Sequence, residues 1–172
     1  MSRSQIVFET RWFRVESVAV GEAGKEPYYQ VVQADGVIML PVTEGGRIVL
    51  VRQFRPPLGR RTLEVPAGFM DEAEAPADAA RRELYEETGY HGAEFTYLGT
   101  GRMLMNRLTS CEHMLLVTGA RRDPAFEPRE NIQVVELEPR ELRQMILAGD
   151  FEQMSAFALL FLVQEKLGWR LF

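Results

Sequence analysis

Aromatic and β-branched residues crowd positions 11–20 (RWFRVESVAV) and 27–34 (PYYQVVQA), and Gly21, Gly24 and Gly36 bound them. This pattern predicts two antiparallel strands. Apolar runs at Val37–Val42 and Ile48–Arg52 flank Glu44-Gly45-Gly46, which predicts a hairpin. A short extended piece, Thr62–Val65, runs into Pro66. Alanines and Leu84 then recur at helical spacing between Pro76 and Thr88, with proline in the first turn and Gly89 beyond the end, so a helix is predicted there. Further strands are expected at Phe95–Leu98, Cys111–Thr118 and Ile132–Glu136. Helices are expected at Pro139–Ala148, stopped by Gly149, and at Met154–Lys166, closed by Gly168. The predicted loops are 55–61, 99–110 and 120–131. Strands, a helix, more strands, then two helices argue for an α+β chain whose mixed sheet is flanked by helices.

With 172 residues, 46% of them apolar and 26% charged, the chain is long enough for one self-sufficient core. Its longest apolar run, Ala156–Val163, is far short of a membrane span, and no signal-peptide pattern opens the N-terminus, so a cytoplasmic protein is expected. One cysteine, Cys111, excludes an internal disulfide and a multi-cysteine zinc site. His113 falls two residues further along the same strand, but no third group to orient a Cys-His pair is evident in the sequence.

The formal charge is −5, which excludes nucleic acid and anionic membrane as non-specific partners. Its distribution is uneven. Residues 64–87 carry eight acids and two arginines, a net of −6, and leave +1 for the remainder. Residues 45–63 carry five arginines and no acid. The arginine fork suits phosphate oxygens.

The acidic segment has a specific form. Glu83, Glu86 and Glu87 stand at i, i+3 and i+4 and share one helix face. Clustered carboxylates repel one another, and a divalent cation relieves that conflict. All-oxygen donors favour Mg²⁺ or Mn²⁺. The approach Leu63-Glu64-Val65-Pro66-Ala67-Gly68 ends a strand at proline and is expected to turn at Ala67-Gly68, with Gly68 allowing close approach to a metal or phosphate. A merely solvated charged face needs no such approach.

Gly68, five residues, Glu74, seven residues, Arg82-Glu83-Leu84, one residue, Glu86-Glu87, one residue, Gly89-Tyr90 resembles the Nudix box without a gap. Val51-Arg52-Gln53-Phe54-Arg55 and Leu63–Gly68 look like the ADP-ribose and nucleotide-sugar pyrophosphatase branch of that superfamily. The resemblance implies a Nudix-type α/β/α sandwich with a mixed sheet (36–172) and an N-terminal antiparallel subdomain (1–35) that commonly builds a homodimer. It implies Mg²⁺-dependent hydrolysis of a nucleoside diphosphate sugar to a nucleoside monophosphate and a sugar phosphate. By position, Glu83, Glu86, Glu87 and the Ala67 carbonyl would ligate metal. Arg82 would orient box carboxylates, Glu74 would support the loop, and Arg52, Arg55, Glu64 and Gly68 would meet the substrate. A general base is expected in Phe126–Glu130, with Glu130 ahead of Glu127 and Glu112. Trp12, Tyr28 and Tyr29 are candidates to stack on a base. Asn106, followed by Arg107, replaces the proline and glycine of that branch, which leaves another nucleotide sugar open. A triphosphate, a dinucleoside polyphosphate or a coenzyme as substrate, or a non-cleaving sensor module, stays open as well.

Overall fold

The computed structural model describes residues 4–21, 26–127 and 130–168. Gly24, Pro128 and Arg129 lie outside them. Fifteen elements follow one another among the described residues. The N-terminal three are strands: β1 (Ser4–Glu9), β2 (Arg14–Val18) and β3 (Tyr28–Val32). They form a separate antiparallel sheet in the order β1-β2-β3. β1 escapes the hydrophobic pattern because all six of its residues are exposed. The expected strand over 11–20 is trimmed at its start: Thr10 Oγ1 accepts the Trp12 and Phe13 amides at 3.1 Å each, which turns 11–13 out of the ladder.

The second sheet contains β4 (Gly36–Thr43), β5 (Ile48–Arg55), β6 (Arg60–Glu64), β7 (Ala67–Phe69), β8 (Tyr90–His91), β9 (Glu94–Gly101), β10 (Glu112–Arg122) and β11 (Ile132–Leu137). Its spine runs β11-β5-β4-β10-β8, with β6 on β5, β7 on β4 and β9 on β10. β4 and β10 are parallel, and the other pairs are antiparallel. The sheet is therefore mixed, as expected. A 3₁₀ turn, Pro56–Leu58, occupies the predicted 55–61 loop.

Helices α1 (Pro76–Thr88), α2 (Pro139–Ala148) and α3 (Met154–Leu167) cover the two faces. β4 shows how. Its Ile38, Leu40 and Val42 point into a cluster with Leu142 of α2 and Ala156, Leu159 and Val163 of α3. The intervening Val37 and Met39 point into a second cluster with Ala79, Ala80 and Leu84 of α1. Both faces are buried, so the strand reads as one apolar run instead of an alternation.

Ala67-Gly68 does not turn. It is the start of β7, with Ala67 opposite Ile38 and Gly68 opposite Val37. Proline removes a donor at 66, yet its carbonyl still accepts the Met39 amide at 3.1 Å, so the ladder carries through. The predicted loops 99–110 and 120–131 are also shorter than expected, because β9 runs to Gly101 and β10 to Arg122.

Candidate active site

β7 and α1 face each other, and Gly68 is where they touch. A Cβ at Gly68 would collide with the Glu83 carboxylate. The glycine is thus needed for a carboxylate of the protein itself to reach the backbone. The Ala67 amide donates to Glu87 Oε2 at 3.2 Å, which sets the Ala67 backbone beside a second box carboxylate.

Arg82 organises this face. Its Nε and Nη2 donate to the two Glu74 oxygens at 3.1 and 2.8 Å, Nη1 donates to Glu83 Oε1 at 2.7 Å, and Nη2 reaches the Phe69 carbonyl at 2.9 Å. Glu86 Oε1 stands 4.0 Å from Arg82 Nη1. Glu74 also accepts the Asp71 amide at 2.9 Å. Hydrogen bonds from Arg82 hold the Glu74 carboxyl below its usual range, and those to Glu74 and Glu83 raise the guanidinium. The structure thus brings Arg82, Glu74 and Glu83 together on one face.

Glu87 is the buried member. Burial pushes its carboxyl up to about 7, Glu83 and Glu64 add to the rise, and the Ala67 amide and Arg55 oppose it. Oxygen donors of graded exposure, one of them short of positive charge, suit a hard divalent cation. Arg82 holds Glu83 at 2.7 Å and the Ala67 amide holds Glu87 at 3.2 Å, and both contacts offset part of the repulsion among the clustered carboxylates.

Next to this face opens a cleft of about 610 Å³, within the range of small-molecule sites. Arg52, Arg55, Arg60 and Arg61 line it together with Glu64, and residues of α2, α3 and their connection close it. Of the five arginines in 45–63, only Arg47 is elsewhere, paired with Glu136 and Glu138. Glu64 is buried. Arg55 Nε donates to its Oε1 at 2.8 Å, Arg55 Nη2 takes the other oxygen, and Thr62 adds its hydroxyl. Burial raises this carboxyl, but the Arg55 and Thr62 hydrogen bonds prevail and hold it below the usual range. Arg55 and Glu64 are thus locked to each other, and both act on Glu87.

The remaining candidates are more scattered. Glu130 is exposed in a turn ahead of β11, and Glu127 is exposed too. Glu112 is half-buried at the start of β10 beside Gly36, with its carboxyl pushed up by burial against a hydrogen bond from Ser155. Trp12, Tyr28 and Tyr29 are exposed, not packed into a core, and Arg107 lies 4.4 Å over the Tyr28 ring. The loop carrying Asn106 is tied to β3: Val31 donates to the Arg107 carbonyl at 2.7 Å, and Thr109 donates to the Val31 carbonyl at 3.1 Å. Sequence reasoning missed the cleft wall formed by α2 and α3, for which no local signal exists. It also missed the orienting groups around His113, described below.

Fold and site together set a carboxylate-bearing helix face beside a basic cleft. A family model described as NUDIX domain matches residues 32–157, and the chain belongs to that family. Over 105 residues it is 36% identical to the ADP-sugar pyrophosphatase of Mus musculus, covering 54% of this chain and 48% of that protein. Over 74 residues it is 43% identical to the ADP-ribose pyrophosphatase of Bacillus subtilis (strain 168), covering 42% of this chain and 40% of that one. The chain thus spans less than half the length of these relatives. The crystal structure of an ADP compounds hydrolase superposes with a TM-score of 0.78 at 22% identity, over 96% of this chain and 92% of that one, and so shares the fold.

Proposed function

We propose that this chain is a Mg²⁺- or Mn²⁺-dependent pyrophosphohydrolase that cleaves a nucleoside diphosphate sugar of the ADP-ribose type into a nucleoside monophosphate and a sugar phosphate. The observation that carries this reading is the adjacency of the α1 carboxylate face to the arginine-lined cleft, coupled through Arg55, Glu64 and Glu87. The names of the pyrophosphatase relatives support the substrate class. Glu83, Glu86, Glu87 and the Ala67 carbonyl would hold the cation, which when bound offsets the charge of the pyrophosphate and lowers the pKa of a coordinated water. Arg82, braced by Glu74, positions Glu83. Gly68 keeps the backbone open to that carboxylate. Arg52 binds phosphate oxygens across the cleft, while Arg55 and Glu64 form a rigid pair on its wall that contacts the substrate. Glu130 takes the proton of the attacking water, with Glu112 as its competitor.

We also place a second copy of this chain against the N-terminal sheet of β1, β2 and β3. Ile6, Val7, Phe8, Trp12 and Tyr29 expose about half of their surfaces there. Large apolar side chains exposed together on one small sheet favour burial against a partner.

A panel of nucleotide sugars, triphosphates and dinucleoside polyphosphates, incubated with pure protein and Mg²⁺, tests the reaction. Monophosphate release from a nucleotide sugar is expected. Release from none of the nucleotide sugars overturns the substrate class. Glu86→Gln and Glu87→Gln are each expected to lower turnover by orders of magnitude, because an amide is a poor ligand for a hard cation. Glu130→Gln and Glu112→Gln, run in parallel, decide the base: the variant with a near-normal rate loses the role.

A further inference from the structure

Beside the first residues of the box, the parallel register of β4 and β10 gathers three donors of different chemistry. Gly36 pairs with Glu112, so Asp35, just ahead of β4, faces Cys111, just ahead of β10. The Gly36 amide donates to the Cys111 carbonyl at 2.9 Å, and the Cys111 amide donates to Asp35 Oδ1 at 2.8 Å. His113 lies on the same side. Its Nε2 is 3.7 Å from Cys111 Sγ and 4.0 Å from Asp35 Oδ2. All three ligand atoms lie within 4.8 Å of one another.

We propose that Asp35, Cys111 and His113 form a transition-metal site of the Zn²⁺ class, with three protein ligands and a fourth position open to water. Three observations carry the assignment. The first is spacing. A Zn–S bond of about 2.3 Å and a Zn–N bond of about 2.0 Å at a tetrahedral angle put sulfur and nitrogen about 3.6 Å apart. The 3.7 Å Cys111–His113 separation is close to this, and Asp35 Oδ2, 4.0 Å from His113 Nε2, needs to close on that nitrogen by less than about 1 Å, on the order of a side-chain adjustment. The second is orientation. His113 Nδ1 is 3.1 Å from the Tyr97 hydroxyl, which leaves Nε2 facing the other two ligands. A ligating histidine ordinarily has its other nitrogen anchored in this way. Asp35 is anchored likewise: its Oδ1 accepts the Cys111 amide at 2.8 Å, and its carboxylate also accepts a hydrogen bond from the Cys111 thiol. The third is access. Asp35 is 46% exposed and His113 17%, so an ion and its water can enter from solvent.

The donor set separates this site from the box. Thiolate and imidazole favour Zn²⁺, whereas an all-oxygen site suits Mg²⁺. On ligation the Cys111 thiol gives its proton to solvent. The site is also joined to the box approach, because the Asp35 carbonyl accepts the Met70 amide at 2.9 Å, one residue beyond β7. Occupancy would clamp the N-terminal ends of β4 and β10 beside that segment.

The test uses the full chain, stripped with chelator, in a Glu87→Gln background that weakens metal capture by the box. Co²⁺ is added as a spectroscopic stand-in, and Zn²⁺ is titrated against a competing chelating dye. We expect a thiolate-to-Co²⁺ charge-transfer band at one equivalent, no displacement by excess Mg²⁺, and a loss of Zn²⁺ affinity of tenfold or more in each of Cys111→Ser, His113→Ala and Asp35→Asn. Lack of the thiolate band in the parent protein overturns the site without recourse to any variant. So does a Zn²⁺ affinity that Cys111→Ser leaves unchanged.

Discussion

Glu87 is a carboxylate that the fold keeps out of water, with its pKa raised to about 7 from an ordinary 4.5. Between those values the native, metal-free protein holds a proton that the unfolded chain has lost. Stability must therefore fall as pH rises across that window. Glu64 and Glu74 work in the opposite direction, since their depressed pKa values favour the native state above the ordinary carboxylate range. From about pH 5.5 upward they are ionised in both states and add no further slope. Chelator-treated Glu87→Gln is thus expected to be more stable than the parent by roughly 2–3 kcal/mol at pH 8. The gap should close toward pH 4, and urea unfolding at several pH values measures it. Equal stability of the two proteins at pH 8 would show that Glu87 is not held in this way. Gly68 gives a second expectation. Gly68→Ala places a methyl group where the Glu83 carboxylate lies, so Mg²⁺ affinity measured by calorimetry should drop at least tenfold. Both residues stood out in the sequence, but not for what they touch. The spacing showed a shared carboxylate face. It did not show that Arg82 would reach the Phe69 carbonyl, or that Arg55 would close on Glu64, because those pairings depend on how β5, β6, β7 and α1 are brought together.

α1 is held by what it buries, not by its polar face. Leu84 is fully buried between Glu83 and Glu86, against Val37, Met39, Leu115 and Val117. Leu84→Ala should cost about 3 kcal/mol, as cavity-forming leucine truncations do. It should also weaken metal binding, since the neighbouring glutamates move with the helix. Thermal denaturation and a metal titration report the two effects separately. The bounds of this helix were legible to the residue, because proline begins it and Gly89 ends it in a left-handed conformation, φ 71°. β1 and β7 were not legible. β1 buries nothing, so the hydrophobic pattern has no hold on it, and β7 hides behind Pro66 in a segment that composition marks as a turn. The Asp35, Cys111 and His113 group was equally invisible, since Asp35 and Cys111 are 76 residues apart and meet only through a parallel register.

At the scale of the molecule, the two charge blocks in the sequence became two neighbouring surfaces. The acidic block is the α1 face with its approach, and four of the five arginines of the basic block line the cleft. The N-terminal sheet is the part whose purpose the single chain does not explain. A paired Ile6→Glu, Phe8→Glu variant is expected to sediment as a monomer where the parent sediments as a dimer, and a monomeric parent would remove that interface. Among the described residues no helix is long and apolar enough to cross a membrane.

The parallel pairing of β4 with β10 has a consequence for assembly. The arginines of β5 and β6 and the glutamates of α1 lie in the chain between those two strands, while α2 and α3 close the cleft from beyond β10. A parallel ladder forms only after its intervening loop has closed, and that closure has an entropic cost before any contact repays it. The carboxylate face cannot be seated against the sheet while the sheet is open. It therefore has no local stability of its own to draw on: the geometry that would hold a cation persists or dissolves with the whole sheet.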